Sequence, residues 1–199
     1  LGYGVDTSNA ALLERGVRAR ARRRERMAEM VERLRAQGVE VELDAVAARA
    51  GDEGMIGRPH LAEAMVHADQ VGSVDEAFDR FIGNYHPAYV STDLGSPMEA
   101  IDAIRGAGGV PVWAHPPSDL VESLTPKLAE AGLRGLEAYR TTHRATRIRR
   151  YRDLAKAHGL VVSGGSDWHN PKRGEKLGRF WSTWGQLREL LAELGIERA

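Results

Sequence analysis

Three apolar runs, opening at residues 110, 135 and 160, recur every 25 residues with helix-patterned segments between them. Strand and helix alternating at that interval build parallel βαβ units. Their crossovers are right-handed, so this stretch folds either as a barrel or as an open doubly wound sheet. Composition alone does not separate the two. The strands are expected at 110–115, 135–139 and 160–163. Ser96-Pro97-Met98-Glu99 is a capping box starting a helix that Gly108 ends. Thr125-Pro126 reads as the opening of the next helix, residues 144–158 as another closed by Gly159, and Thr183 with Gln186 as the cap of a last one stopping at Gly195.

Ahead of these units the pattern is helical. Residues 10–36 form one long helix, with Met27, Met30, Val31 and Leu34 at helical spacing and Gly38 as its stop. A short helix fits 44–50, closed by Gly51. Pro59 sits in the first turn of a third running to about Ala68, and Ser73-Val74-Asp75-Glu76 caps a fourth that ends at Gly83. Leu1-Gly2-Tyr3-Gly4-Val5-Asp6 reads as the end of a strand. The expected organisation is a remnant strand in 1–8, a helical insertion or cap in 9–90, and C-terminal βα units in 91–199.

Composition narrows the chemistry. Lys+Arg and Asp+Glu both number 28, so no global field recruits nucleic acid or an anionic membrane. There is no cysteine, which excludes disulfides, thiolate metal sites and Cys nucleophiles. No apolar run approaches the roughly 20 residues of a spanning helix, so no membrane partner is expected. Nothing at the start reads as a signal peptide, and the compartment expected by default is the cytoplasm.

Working residues of parallel β/α folds gather just past the carboxyl ends of the strands. Here those ends read Trp113-Ala114-His115-Pro116, Leu136-Glu137-Ala138-Tyr139 and Ser163-Gly164-Gly165-Ser166-Asp167-Trp168-His169. Imidazole nitrogen and carboxylate oxygen are the ligand mix of hydrolytic zinc, manganese and iron sites. Asp167 and His169 can point into one site if the backbone bends between them, and Gly164 and Gly165 permit a bend. Ser163 and Ser166 look structural.

Gly57-Arg58-Pro59-His60-Leu61-Ala62, Ala114-His115-Pro116, Leu136-Glu137-Ala138-Tyr139 and Gly164-Gly165-Ser166-Asp167-Trp168-His169 follow in that order. Together they resemble the polymerase and histidinol phosphatase (PHP) family of metal-dependent phosphoesterases. The branch they are most similar to hydrolyses nucleoside 3′,5′-bisphosphates and trims short nucleic acids from the 5′ end. The resemblance implies an α/β fold, part of a distorted (β/α)7 barrel with a helical insertion. It implies up to three divalent ions (Mn, Zn or Fe), with His115, Asp167 and His169 matching family ligands. It also implies that the remaining ligands (a His-x-His motif, an Asp, two further His and a Glu) lie ahead of Leu1. On that ground this chain alone is expected to bind metal weakly and to be inactive, while the intact parent is a phosphoric ester hydrolase using a metal-activated water.

Phosphate capture needs cations. Arg58 and His60 open a helix whose N-terminus favours anions, and the family motif points to substrate contact for both. Residues 15–35 hold nine Arg against three Glu. Projected at 100° per residue, Arg20 and Arg24 fall on the stripe of Leu13, Met27, Val31 and Leu34. There a guanidinium meets either a phosphate or an internal acid. A second basic run, Arg140 to Arg152, leaves a strand end with His143, which could line the mouth. His67, His86 and His158 have no motif around them. The expected substrate is a nucleotide or short oligonucleotide, and no protein partner is predicted. The competing function is a truncated, non-catalytic fragment that binds anions or nucleic acid.

Overall fold

A computed structural model of the chain describes residues 1–51, 55–92, 95–168 and 177–198. In chain order the elements are β1 (Gly2–Tyr3), α1 (Ala10–Arg35), α2 (Leu43–Ala50), α3 (Arg58–His67), α4 (Val74–Ala77), a π-helical turn (Phe78–Ile82), α5 (Pro97–Gly106), β2 (Val110–Trp113), α6 (Val121–Glu130), β3 (Gly135–Arg140), α7 (Ala145–Ala157), β4 (Val161–Gly165) and α8 (Trp184–Glu193). They form two compact units, one of residues 1–12 with 95–199 and one of residues 13–94. No helix among the described residues is long and apolar enough to cross a membrane.

The first unit is α/β, with a curled half-barrel sheet in the order β1-β2-β3-β4. β2, β3 and β4 run parallel, while β1 pairs antiparallel with β2 through Gly2 opposite Pro111. Gly135 through Tyr139 of β3 are all buried, as befits a strand covered on both faces. Leu136, Ala138 and Tyr139 share a core with Ile101, Val121, Tyr151 and Leu160, and Val112 and Val161 pack with Leu190. One irregularity shapes everything that follows. Glu137 pairs with Ser163 and Tyr139 with Gly164, so Ala138 is an inserted bulge residue.

Thr125-Pro126 does not open a helix. The turn begins earlier, with Leu120 N and Val121 N both donating to Pro117 O, and Pro126 lies inside α6. Proline suits a first turn because its absent N–H is not missed there. The same cue misleads when the chain is already helical, and here Pro126 simply forgoes the bond to the Glu122 carbonyl. Thr125 is fully buried and returns its hydroxyl to Val121 O rather than capping.

The second unit is helical among its described residues. Its core gathers Met27, Met30, Val31 and Leu34 of α1 with Val46, Leu61, Met65 and Ile82. Gly38, at φ 77°, ends α1 and lets Val39 N reach back to Leu34 O. Ser73 caps α4 by accepting from Glu76 N, and the helix then widens so that Gly83 N donates five residues back to Phe78 O. A side chain at Gly83 would meet that carbonyl at 2.5 Å.

Candidate active site

His115 stands two residues beyond β2, Arg140 ends β3, and Asp167 stands two residues beyond β4. All three lie at the carboxyl ends of parallel strands. His115 Nε2 is 3.3 Å from Asp167 Oδ1, and Arg140 Nη2 donates to Asp167 Oδ2 at 2.8 Å. Arg140 Nε lies 3.3 Å from Glu137 Oε2, and that same oxygen accepts from His115 N at 3.0 Å. Four residues thus close a ring. Glu137 is buried and Arg140 partly so, with side chains 6% and 14% exposed.

The bulge explains how the ring closes. Residues three apart on a regular strand face opposite sides of the sheet. Inserting Ala138 restores Glu137 and Arg140 to one side, because β4 advances only from Ser163 to Gly165 over the same span. The carbonyl of Ala138 accepts from His143 Nδ1 at 2.9 Å.

His115 and Asp167 both hold left-handed backbone, at φ 51° and 55°. Such conformations cost on the order of 1–3 kcal/mol and persist where surroundings over-determine them. The Glu137 carboxylate on the His115 amide is one such restraint. Gly164 and Gly165 both belong to β4 and neither has positive φ; the left-handed residue of this segment is Asp167. Gly164 is needed for closeness instead, since a Cβ there would lie 2.7 Å from Tyr139 O.

The donors fit a divalent metal. Nitrogen and oxygen ligands at about 2.0–2.1 Å around a tetrahedral ion are separated by roughly 3.3 Å, the spacing His115 and Asp167 show. No group of three potential ligands gathers among the described residues. His169 lies outside the described residues.

His143 is half-buried beside the ring. A carbonyl only accepts, so the Ala138 contact places the proton on Nδ1. The imidazole meets the ring of Tyr151 edge-on at 5.2 Å, and Tyr151 Oη donates to Pro116 O at 2.8 Å. Burial lowers the pKa of His143, and Arg147 and Arg140 lower it further against the pull of the Ala138 contact. The folded state therefore binds this proton less readily than the unfolded chain. The stability this provides is complete above the ordinary value of about 6.5 and is lost as pH falls through and below it. Urea midpoints taken from about pH 7.5 down to pH 5.5 should fall less steeply in His143→Gln than in the parent. Further along the second basic run, Arg150 donates to Glu122 at 2.8 Å, an exposed surface pair.

The other expected phosphate-binding residues belong to the second unit. Arg58 opens α3, donates through Nη1 to Asn84 Oδ1 at 2.9 Å and to Ile82 O at 3.2 Å, and lies over the rings of Phe78 and Tyr89. His60 Nδ1 accepts from Gly57 N at 3.2 Å, which leaves its proton on Nε2. Arg20 and Arg24 are not on a covered stripe. Both are exposed, and Arg24 lies 3.4 Å from Asp44 Oδ1. The periodicity marks the right face of α1, but burial starts only at Met27, and Leu13 and Val17 are more than half exposed. Arg26 is the inward cation instead, donating to Val90 O at 2.6 Å and lying 5.8 Å from the centre of the Tyr89 ring. Burial lowers its pKa, and Arg58 and Arg23 add to the effect.

The sequence gives Arg26 and Tyr89 no role, names Arg140 only as the start of the basic run at the mouth, and holds Glu137 only as part of the Leu-Glu-Ala-Tyr motif. One signal was present for Glu137, an acid inside an otherwise apolar strand, which is rarely buried unless paired.

No family model matches the chain. It is 31% identical over 179 residues to the 3′,5′-nucleoside bisphosphate phosphatase of Chromobacterium violaceum, covering 87% of this chain and 63% of that protein. The chain thus spans less than two thirds of that relative's length. It is 25% identical over 201 residues to the 5′-3′ exoribonuclease Rnm of Escherichia coli, covering 94% of this chain and 68% of the relative. Among solved structures, a Bifidobacterium adolescentis protein described as a metal-dependent phosphoesterase matches with a TM-score of 0.80 and 33% identity over 95% of this chain and 68% of its own. An amidohydrolase from Chromobacterium violaceum, with bound sulfate and no metal, matches with a TM-score of 0.76 and 30% identity over 96% and 70%. Order of motifs, strand-end geometry and these likenesses agree, and the chain belongs to the PHP family of metal-dependent phosphoesterases.

Proposed function

We propose that this chain belongs to a phosphoesterase that removes phosphate from nucleoside 3′,5′-bisphosphates or from the 5′ ends of short nucleic acids. The observation that carries the reading is the His115–Asp167 pair, held at metal-ligand spacing beyond two parallel strands. Its four-stranded sheet would form part of the family's seven-stranded barrel. His115, Asp167 and His169 would hold divalent ions, manganese, zinc or iron. Such ions, when bound, neutralise phosphate oxygens and lower the pKa of water to about 7. The protein's own residues do the rest. His115 and Asp167 present lone pairs, Glu137 fixes the backbone that aims His115, and His143 turns Nε2 away from the Ala138 carbonyl as a proton acceptor. Arg58 and His60 of the second unit are the residues the family motif assigns to a substrate phosphate.

Release of inorganic phosphate from adenosine 3′,5′-bisphosphate with Mn2+ tests this. Turnover that Asp167→Asn abolishes supports it. A second reading, a non-catalytic anion-binding fragment, draws on Arg26 and Arg58 sharing one tyrosine ring. Tight nucleotide binding without phosphate release supports that one. Arg58→Ala should raise KM for the bisphosphate by about tenfold to a hundredfold, the worth of a hydrogen bond to a charged group. An aryl phosphate, which lacks the second anion, should lose little. Equal losses on both would put Arg58 at the reacting phosphate.

A further inference from the structure

The loop after the π-helical turn presents an aromatic ring to solvent on an unfavourable backbone. His86 N donates to Gly83 O at 3.2 Å, closing a turn whose third residue is Tyr85 at φ 72°. Positive φ at that place favours glycine or asparagine, so a tyrosine there holds strain. Packing inside the fold does not offset it, because Tyr85 is 100% exposed. The loop is nevertheless held at both ends. Arg58 Nη1 donates to Ile82 O and Asn84 Oδ1 on one side. On the other, Arg33 Nη1 donates to Tyr89 O and Arg26 Nε to Val90 O.

The guanidinia here gather without acids. Arg26 and Arg58 lie 5.8 and 5.2 Å from the centre of the Tyr89 ring. Their hydrogen bonds go to carbonyl and amide oxygens, not to carboxylates, and Nε of nearby Arg23 is buried with no hydrogen-bond partner. Cations of one sign collected in this way raise the local concentration of anions. Asn84, which Arg58 holds, is the chain neighbour of Tyr85, so ring and cations belong to one patch. Single-stranded nucleic acid is bound by such patches, with phosphates on the cations and bases stacked on the aromatic side chains. We propose that Tyr85 is a stacking platform for a nucleobase and that Arg23, Arg26 and Arg58 hold phosphates of the same strand, making this patch of the second unit a site for a short single-stranded oligonucleotide. The inference rests on reading Arg58 as a phosphate contact, and its test separates the two.

Binding of the 5′-phosphorylated trinucleotide pApApA to the full chain is measured in EDTA, where no turnover intervenes, beside tripolyphosphate, which has no base. Tyr85→Gly should bind pApApA about tenfold more weakly, within the worth of one base stack, and tripolyphosphate as the parent does. It should also melt at a higher temperature, since glycine relieves the left-handed turn. Tyr85→Phe keeps the ring and should bind both ligands like the parent. Arg23→Gln should weaken both. Equal losses of the two ligands in Tyr85→Gly would place the effect in the loop rather than in a stack, and overturn the proposal. Binding of pApApA that Tyr85→Gly leaves unchanged, with Arg58→Ala weakening both ligands, overturns it too and leaves the Arg58 reading standing. Arg58→Ala without effect on either ligand overturns both.

Discussion

Glu137→Ala is expected to cost about 3 kcal/mol of folding stability, the loss typical when one partner of a buried ion pair is removed. Glu137 is buried in the middle of β3, where its carboxylate faces Arg140 and accepts from the amide of left-handed His115. Alanine strands both. Arg140 keeps Asp167 but loses half of its counter-charge, and the His115 amide loses the acceptor that holds its conformation. For a chain of this length the melting temperature should fall by roughly 6–12 °C. Glu137→Gln keeps an acceptor for the amide but no charge and should lose about half as much. A drop below about 1 kcal/mol for alanine would mean that the ring is solvated and that the ion pair is worth no more than a surface one.

Gly164→Ala is expected to destabilise by a similar amount, about 3 kcal/mol, at the upper end of overpacking costs. The added methyl would lie 2.5 Å from Tyr139 Cβ and Ser182 Oγ and 2.7 Å from Tyr139 O. Two of those three atoms belong to a strand that cannot rotate out of the way, so β4 must separate from β3 where Arg140 pairs with Gly165. The neighbouring position provides the control. Nothing lies within 4 Å of a Cβ at Gly165, so Gly165→Ala should change stability by less than about 0.5 kcal/mol. Chemical denaturation of the two variants side by side measures both; equal effects would show that strand propensity, not the contact with Tyr139, governs this segment.

Much of this architecture could be read from residue spacing. The alternation that put strands near 110, 135 and 160 and helices between them follows from local periodicity, which is a property of the chain alone. The caps at Ser73, Ser96 and Thr183 were legible for the same reason, since each is a contact between residues three apart. What escaped is whatever depends on a second element. Strand arithmetic places Glu137 and Arg140 on opposite faces, and only pairing with β4 reveals the bulge that reunites them. The stripe on α1 is correctly phased, yet Arg20 and Arg24 lie beyond the part that other helices cover. His115 and Asp167 could be picked out by residue type and by family motif. Their left-handed backbones could not, because neither is glycine and the restraint on His115 comes from another strand.

The widened turn at Phe78–Ile82 carries an evolutionary consequence. A π-turn is what remains when one residue is inserted into an existing α-helix, and it delivers the following chain about 100° away from where an unbroken helix would. Here that offset is what presents Ile82 O and Asn84 Oδ1 to Arg58. A homologue one residue shorter in this stretch would regain a regular helix and swing the equivalent of Asn84 off the arginine. A single gap in an alignment at this point is therefore expected to mark relatives in which the equivalent of Arg58 is held by other residues, even where Gly-Arg-Pro-His itself is retained.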